Sequence, residues 1–297
     1  MHSVFSIIFF ICLLFSTGTQ FIECRVVSNG HAISITKKCD LPTRLSSSSG
    51  LCFVNGKCFT FNDSGNTPDL FQIDTATGNI LQTIHINNYP NIDWEDITAD
   101  ENYIYIGDFG NNKGIRTDLR VLKIPISSIP NHQLNVALNA DAINFKYNDQ
   151  NSFMKNEKNN FDCEAMVSID SNLYLFTKNR GDENTRLYTL SKAPGNYNVS
   201  PITTYNSKGK ITGADYCADT KQLVLIGYED KKLNSFLLFF NNFNGHNLNN
   251  SNASRVTIGN NFNKWQTEGI CYVTPTHLLI SCETTKHQNA ALYSTNL

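Results

Sequence analysis

The stretch DWEDI, at 93–97, decides the fold because the chain keeps rewriting it. FDCEAM follows at 161–166, ITGADY at 211–216 and WQTEGI at 265–270, and a weaker copy, SSGL, stands at 48–51. After a short turn each copy leads into a dense apolar run: KCFTFND, YIYIGD, LYLFTK, LVLIGY and HLLISCE. Near-continuous apolar runs of that length read as strands buried on both faces. Five such pairs predict five repeats of one β-unit.

The unit can be laid out strand by strand. Strand A directly follows the motif, as LCFV, ITAD, MVSI, ADYC and ICYV, and a turn joins it to strand B, the apolar run. That turn is clearest at Asn55-Gly56, a two-residue hairpin signal. Strand C is LFQID, LRVLKI, RLYTLS, FLLFF and ALYST, and strand D is ILQTIHI, AINFKY, PITTY and RVTIG. The fifth unit has no strand D, while HAISIT at 31–36 stands unused before the first strand A. The economical reading lets that segment complete the last sheet. The expectation is an all-β fold, a β-propeller of five blades with four antiparallel strands each, closed by N- and C-terminal strands in one blade. Two polar loops, 127–141 and 148–160, fill the long gap between Ile97 and Met166 and leave a sixth blade there as an alternative. No linker or composition break interrupts 25–297, which reads as one domain.

Of the 297 residues 40% are apolar, enough for a substantial core, and the formal net charge is −2. Without a dense Lys/Arg cluster the chain is not expected to bind nucleic acid. VFSIIFFICLLF at 4–15 is short for a bilayer span and runs into Ser16-Thr17-Gly18-Thr19-Gln20. This predicts a cleaved leader over 1–20, a secreted or cell-surface protein, and no membrane span afterwards. Removing Cys12 with the leader leaves an even set of cysteines: Cys24, Cys39, Cys52, Cys58, Cys163, Cys217, Cys271 and Cys282. An even set in a secreted chain favours some disulfides, with buried free thiols as the alternative. Cys52 and Cys58 do not suit each other, because the turn between them puts them on opposite faces. No CxxC spacing suggests zinc. Asn62, Asn198, Asn249 and Asn252 head Asn-x-Ser sequons and make a glycoprotein possible in a glycosylating host.

The pattern E-[G/A/D]-[I/M], an apolar strand ending in a polar pair such as Gly-Asp, then L-x-x-[L/I], resembles the blades of NHL, gluconolactonase-like and SdiA-regulated propellers. More closely, NDSG, DWEDI, YIYIGDFGNN, FDCEA, LYLFTKN, TRLYTL and ITGADY resemble a group of secreted bacterial propellers common in Bacteroidetes, some of them grouped with esterase-like phytase propellers. The resemblance covers 41–297. In such propellers strand A lines the central channel and starts at one mouth. That implies a column of Ser49, Glu95, Glu164, Gly213 and Glu268, supported by Asp93, Asp96 and Asp162. Several carboxylates converging on a channel suit Ca²⁺, which takes many oxygen ligands, with Glu95, Glu164 and Glu268 as metal ligands. Such a site could also polarise a substrate or a bound water. Gluconolactonase-like enzymes have a Glu at a strand A start among their ligands, but their Asn and Asp ligands have no counterpart here. The plainer reading has these glutamates accept backbone N–H groups of the next blade and stitch the ring.

A second aligned set, Asp63, Asp108, Lys178, Tyr228 and Glu283, ends strand B among the Gly- and Asn-rich loops NDSGN, GDFGNNKG and KNRGDEN. These residues are the candidate ligand-binding surface, since loops at a propeller mouth carry function; turn closure by Asp and Asn is the alternative. Arg180-Gly181-Asp182 matches an adhesion tripeptide but belongs to that loop pattern. There is no GxSxG elbow, and the histidines do not recur with the blade. Trp94 and Trp265 flank the motif and read as core aromatics before sugar-stacking platforms. The expected function is a secreted, monomeric binding or interaction module, holding a glycan, peptide or small polar ligand at the channel mouth, with Ca²⁺. The alternative is a metal-dependent hydrolase of phosphoesters or lactones using Glu95, Glu164 and Glu268.

Overall fold

The computed structural model describes residues 24–28, 31–229, 234–258 and 266–297. The leader expected at 1–20 and Trp265 lie outside them, as do the side chains of Cys24 and His31. The chain enters through β1 (Cys24–Ser28) and β2 (His31–Asp40). A first meander follows: β3 (Ser48–Val54), β4 (Lys57–Asn62), β5 (Asp69–Ile73) and β6 (Ile80–Ile86). The second is β7 (Trp94–Ala99), β8 (Tyr103–Asp108), β9 (Arg120–Pro125) and, after an inserted strand β10 (Asn135–Leu138), β11 (Asp141–Tyr147). The third is β12 (Cys163–Ile169), β13 (Asn172–Thr177), β14 (Thr185–Ser191) and, after the inserted β15 (Gly195–Val199), β16 (Thr203–Tyr205). The fourth is β17 (Lys210–Cys217), β18 (Gln222–Tyr228), β19 (Ser235–Phe240) and β20 (Ala253–Thr257). The chain ends in β21 (Thr267–Thr274), β22 (His277–Cys282) and β23 (Ala291–Asn296).

The ends of the chain meet. β2 pairs antiparallel with β23, Ile35 opposite Thr295 and Thr36 opposite Ser294. The inner strands β3, β7, β12, β17 and β21 pack each against the next, and β21 returns to β3. The result is a five-bladed β-propeller. The long gap in the repeat holds no sixth blade. Its first loop supplies β10, which pairs in parallel with β6 of the preceding blade, Asn135 opposite Thr83. β15 covers β11 in the same way, and β1 covers β2. Added outer strands of this kind shield edges that would otherwise offer unpaired backbone.

The core is divided by the seams between blades, one apolar cluster to each seam. The apolar runs feed two seams at once, because alternate side chains of a strand point to opposite faces. Ile104 and Ile106 face the first blade while Tyr105 faces the third. Leu223 and Leu225 pack towards the third blade while Val224 and Ile226 pack towards the fifth. Trp94 is fully buried against Phe61, ring edge to face at 5.4 Å, so it is core and no sugar platform.

The expectation of disulfides is corrected. Cys39, Cys52, Cys58, Cys163, Cys217, Cys271 and Cys282 are all free, and no pair forms among the described residues. All but Cys39 are buried in the seams, Cys58 with Cys271 in one and Cys217 with Cys282 in another, filling space as small apolar side chains do. Two of the four sequons are structural as well. The Asn62 amide donates to the Arg44 carbonyl at 2.7 Å, and that of Asn252 donates to the carbonyls of Asn241 and Asn247. Asn198 and Asn249 are exposed. No helix among the described residues is long and apolar enough to cross a membrane.

Candidate metal centre

Every inner strand breaks register at the same level. β7 passes from Trp94 opposite Asp108 to Asp96 opposite Gly107, which leaves Glu95 unopposed. β12 does this at Glu164 and β17 at Thr212. β3 does it at Ser49-Gly50 and β21 at Glu268-Gly269. A bulge takes the extra residue out of the strand's alternation and re-aims its side chain. The motif therefore lies inside the inner strand and not ahead of it, as its sequence position suggested. The column it makes is Ser49, Glu95, Glu164, Thr212 and Glu268. Gly213, expected in that column, is the next residue along; a Cβ there would run into the Glu268 carbonyl.

Short side chains at this level stitch the ring. Ser49 Oγ donates to the Glu95 carbonyl at 2.8 Å, and Thr212 Oγ1 donates to the Thr267 carbonyl at 2.7 Å. Asp96 does more. One of its oxygens accepts the N–H of Ile97 at 2.8 Å, and the other accepts those of Met166 at 2.7 Å and Ala214 at 3.3 Å. A carboxylate of the second blade thus holds the third and fourth. Asp215 accepts the N–H of Tyr272 at 2.7 Å. The stitching role expected for the glutamates falls to these neighbours.

The glutamates face the mouth instead. Glu95 is only 5% exposed, and among the described residues no donor reaches its carboxylate. It is flanked by carboxylates on both sides. Asp63, Asp93 and Glu95 bring one oxygen each within 4.8 Å of one another, and so do Glu95, Asp162 and Glu164. Burial, then Glu164 and Asp63, push the Glu95 carboxyl well above its ordinary range. Burial with Asp63 and Asp162 pushes Asp93 up to about 6. Gly110 lets its loop pass directly over this pair, since a Cβ there would overlap Glu95 Oε1 and Asp93 Oδ2.

Two fixed cations serve the other side. Lys178 Nζ stands 2.9 Å from Glu164 Oε2, and Arg180 NH2 stands 3.5 Å from Glu164 Oε1. Arg180 Nε donates to Asp162 Oδ2 at 2.5 Å, and the Asn111 N–H donates to Asp162 Oδ1 at 2.6 Å. Arg180 also bonds the Asn112 side chain. Burial opposes the charge on Lys178, but Glu164 holds its pKa well above the ordinary value. Further round the rim, Gln266 Nε2 donates to Glu283 Oε2 at 2.6 Å. Burial pushes Glu268 up to about 7, and burial with Glu268 pushes Glu283 up to about 8. The Tyr228 ring lies 5.5 Å from Lys178 Nζ, and burial pushes its hydroxyl up to about 12.

The structure thus brings Glu95 and Glu164 into one triad and leaves Glu268 in neither. Asp63, Lys178, Tyr228 and Glu283 lie near enough to this cluster for charge effects to pass between them. Asp108, aligned with them in sequence, does not join them. Its oxygens are taken by Arg116 at 3.0 Å, Arg120 at 2.8 Å and the Asp93 N–H at 3.1 Å. Arg180 escaped the sequence reading because it opens the Arg-Gly-Asp tripeptide; its guanidinium turns inward to Asp162 and is not presented outside. The signal for it was its place two residues after Lys178, where an extended chain returns a side chain to the same face.

No family model matches the chain, and no curated protein matches it. Among solved structures it is similar to a hydrazine synthase chain from Kuenenia stuttgartiensis, with TM-score 0.42 and 12% identity over 86% of this chain and 63% of that one. It is similar to a candidate 6-phosphogluconolactonase from Bacteroides uniformis, with TM-score 0.39 and 11% identity over 89% and 70%. It is similar to the computationally designed Ika4 protein, with TM-score 0.31 and 8% identity over 66% and 93%. None of these likenesses bears on activity, and the NHL and Bacteroidetes-type resemblance stands at the level of the propeller fold.

Proposed function

We propose that the chain is a secreted propeller that binds Ca²⁺ at one mouth and presents it to a small polar ligand, glycan or peptide. The observation that carries this is the Glu95 carboxylate: buried, without a donor among the described residues, and close to Asp63 and Asp93. A buried carboxylate without a partner is costly, and a bound cation removes that cost. The donor set is all carboxylate oxygen, which suits a hard cation. Oxygens within 4.8 Å of one another match the span across an ion with ligands at about 2.3–2.6 Å. Three protein oxygens leave positions that water or ligand oxygens fill, since Ca²⁺ takes about 6–8. The binding reading works as a monomer and needs no nucleic acid; on secretion, Asn198 and Asn249 are the sequons open to glycosylation.

The test is metal analysis of protein purified without chelator and dialysed against trace calcium. Stoichiometric calcium, removed by EDTA, is expected; metal-free protein that stays so in millimolar calcium overturns the reading. A second reading, a metal-dependent phosphoesterase or lactonase, is favoured by Lys178 and Arg180, cations placed beside the carboxylates where an anionic substrate would lie. It requires turnover on a panel of phosphoesters and lactones that is lost in Glu95→Gln, Glu164→Gln and Glu268→Gln.

A further inference from the structure

The two triads share Glu95, which raises the question of one ion or two. We infer that the mouth takes a single divalent cation, between Asp63, Asp93 and Glu95, and that Lys178 and Arg180 occupy the place of a second. This rests on the cation reading above and sharpens it. In the second triad every oxygen of Asp162 and Glu164 already has a partner: Arg180, the Asn111 N–H and Lys178. Two negative charges meet two positive ones, so that half of the cluster is balanced without metal. Among the described residues no side-chain cation bonds a carboxylate of the first triad; Arg116, whose charge acts on Asp93, is held by Asp108 and Asp118, and Lys178, whose charge acts on Asp63, is held by Glu164. Three carboxyl groups there, whose protons a divalent ion can displace, leave that ion welcome. A second ion would lie beside a buried ammonium and a guanidinium and would have to displace both. Glu95, the one member of the second triad without a donor among the described residues, is free to serve the first alone.

The geometry also fixes what the ion joins. Asp63 directly follows β4 of the first blade, and Asp93 and Glu95 belong to the second, so the ion bridges that seam. The lysine and arginine bond mainly within their own blade, to Asp162 and Glu164, with Arg180 also reaching Asn112 of the second.

The experiment is calorimetric titration of the chelator-stripped full chain with calcium chloride, with bound metal counted independently. One ion per chain is expected in the wild type. Asp63→Asn should weaken binding at least tenfold, while Asp162→Asn, which keeps an acceptor for the Asn111 N–H, should leave the count at one and change affinity far less. Arg180→Met should admit a second ion. Two ions in the wild type, or equal losses in Asp63→Asn and Asp162→Asn, would overturn the single-site inference while leaving calcium binding intact. No binding at all would instead remove the reading it rests on. Should Arg180→Met fail to fold, the Asp63 and Asp162 variants still decide the matter.

Discussion

Glu95 and Asp96 are neighbours on β7, both carboxylates and both buried, yet the molecule treats them oppositely. Asp96 sits where three backbone N–H groups converge, so its charge is spent on the joints between blades. Glu95, lifted out of register by the bulge, has four other carboxylates around it and, among the described residues, no donor. The difference shows that burial of an acid does not by itself mark a site. What marks it is burial without a donor, at a point where other carboxylates crowd the same group.

Asp96→Ala is expected to have the largest effect. It strands three buried N–H groups, each worth about 1–3 kcal/mol when left unsatisfied, so urea melts should show a loss of roughly 3 kcal/mol or more. The response to calcium should survive in whatever remains folded. A loss below about 1 kcal/mol would break the contrast, because Asp96 would then be no more structural than Glu95.

The next effect is in pH. Asp93, Glu268 and Glu283 are pushed up to about 6, 7 and 8 in the fold. In chelator the unfolded chain releases these protons near pH 4–4.5, while the folded chain still holds them. The folded state binds more protons across that window, so stability falls as pH rises from about 4.5 to about 8 and levels off above. Calcium competes with those same protons, so the stabilisation it adds should grow over the same range. Melting temperature against pH, with EDTA and with calcium, reads both slopes. A chelated protein that gains stability between pH 5 and 8 would contradict the account.

Thr212→Val should have the smallest effect. It removes one hydroxyl bond to the Thr267 carbonyl, worth about 1 kcal/mol, at the column position that carries glutamate in three other blades. Calcium binding should not change. A calcium defect in this variant would show that the column acts as a unit, against the division drawn here.

The ring was legible in the sequence because each blade repeats the same apolar run, and because the unused HAISIT segment matched the missing last strand. β10 and β15 were not legible. They are only four and five residues long, and they pair in parallel with a blade other than their own, which no local pattern reports. Glu95, Glu164 and Asp63 could be picked out by alignment. The division between Glu95 and Asp96 could not, because it depends on a bulge, a backbone feature that shifted the fourth blade's alignment by one residue, from Thr212 to Gly213. Asp63 and Asp108 occupy the same repeat position and differ only because Arg116 and Arg120, further along in the same blade, claim Asp108.

The most direct test compares the wild type with Glu95→Gln in thermal melts at pH 7.5, in EDTA and in excess calcium. At a free calcium concentration a hundredfold above its dissociation constant, the wild type should gain about 2.7 kcal/mol, a shift of several degrees. Glu95→Gln should melt in EDTA at or above the wild-type temperature, since a buried charge without a partner is gone, and should not respond to calcium. An equal calcium shift in both proteins, or none in the wild type, would contradict the claim that Glu95 is kept without a donor in order to meet a cation.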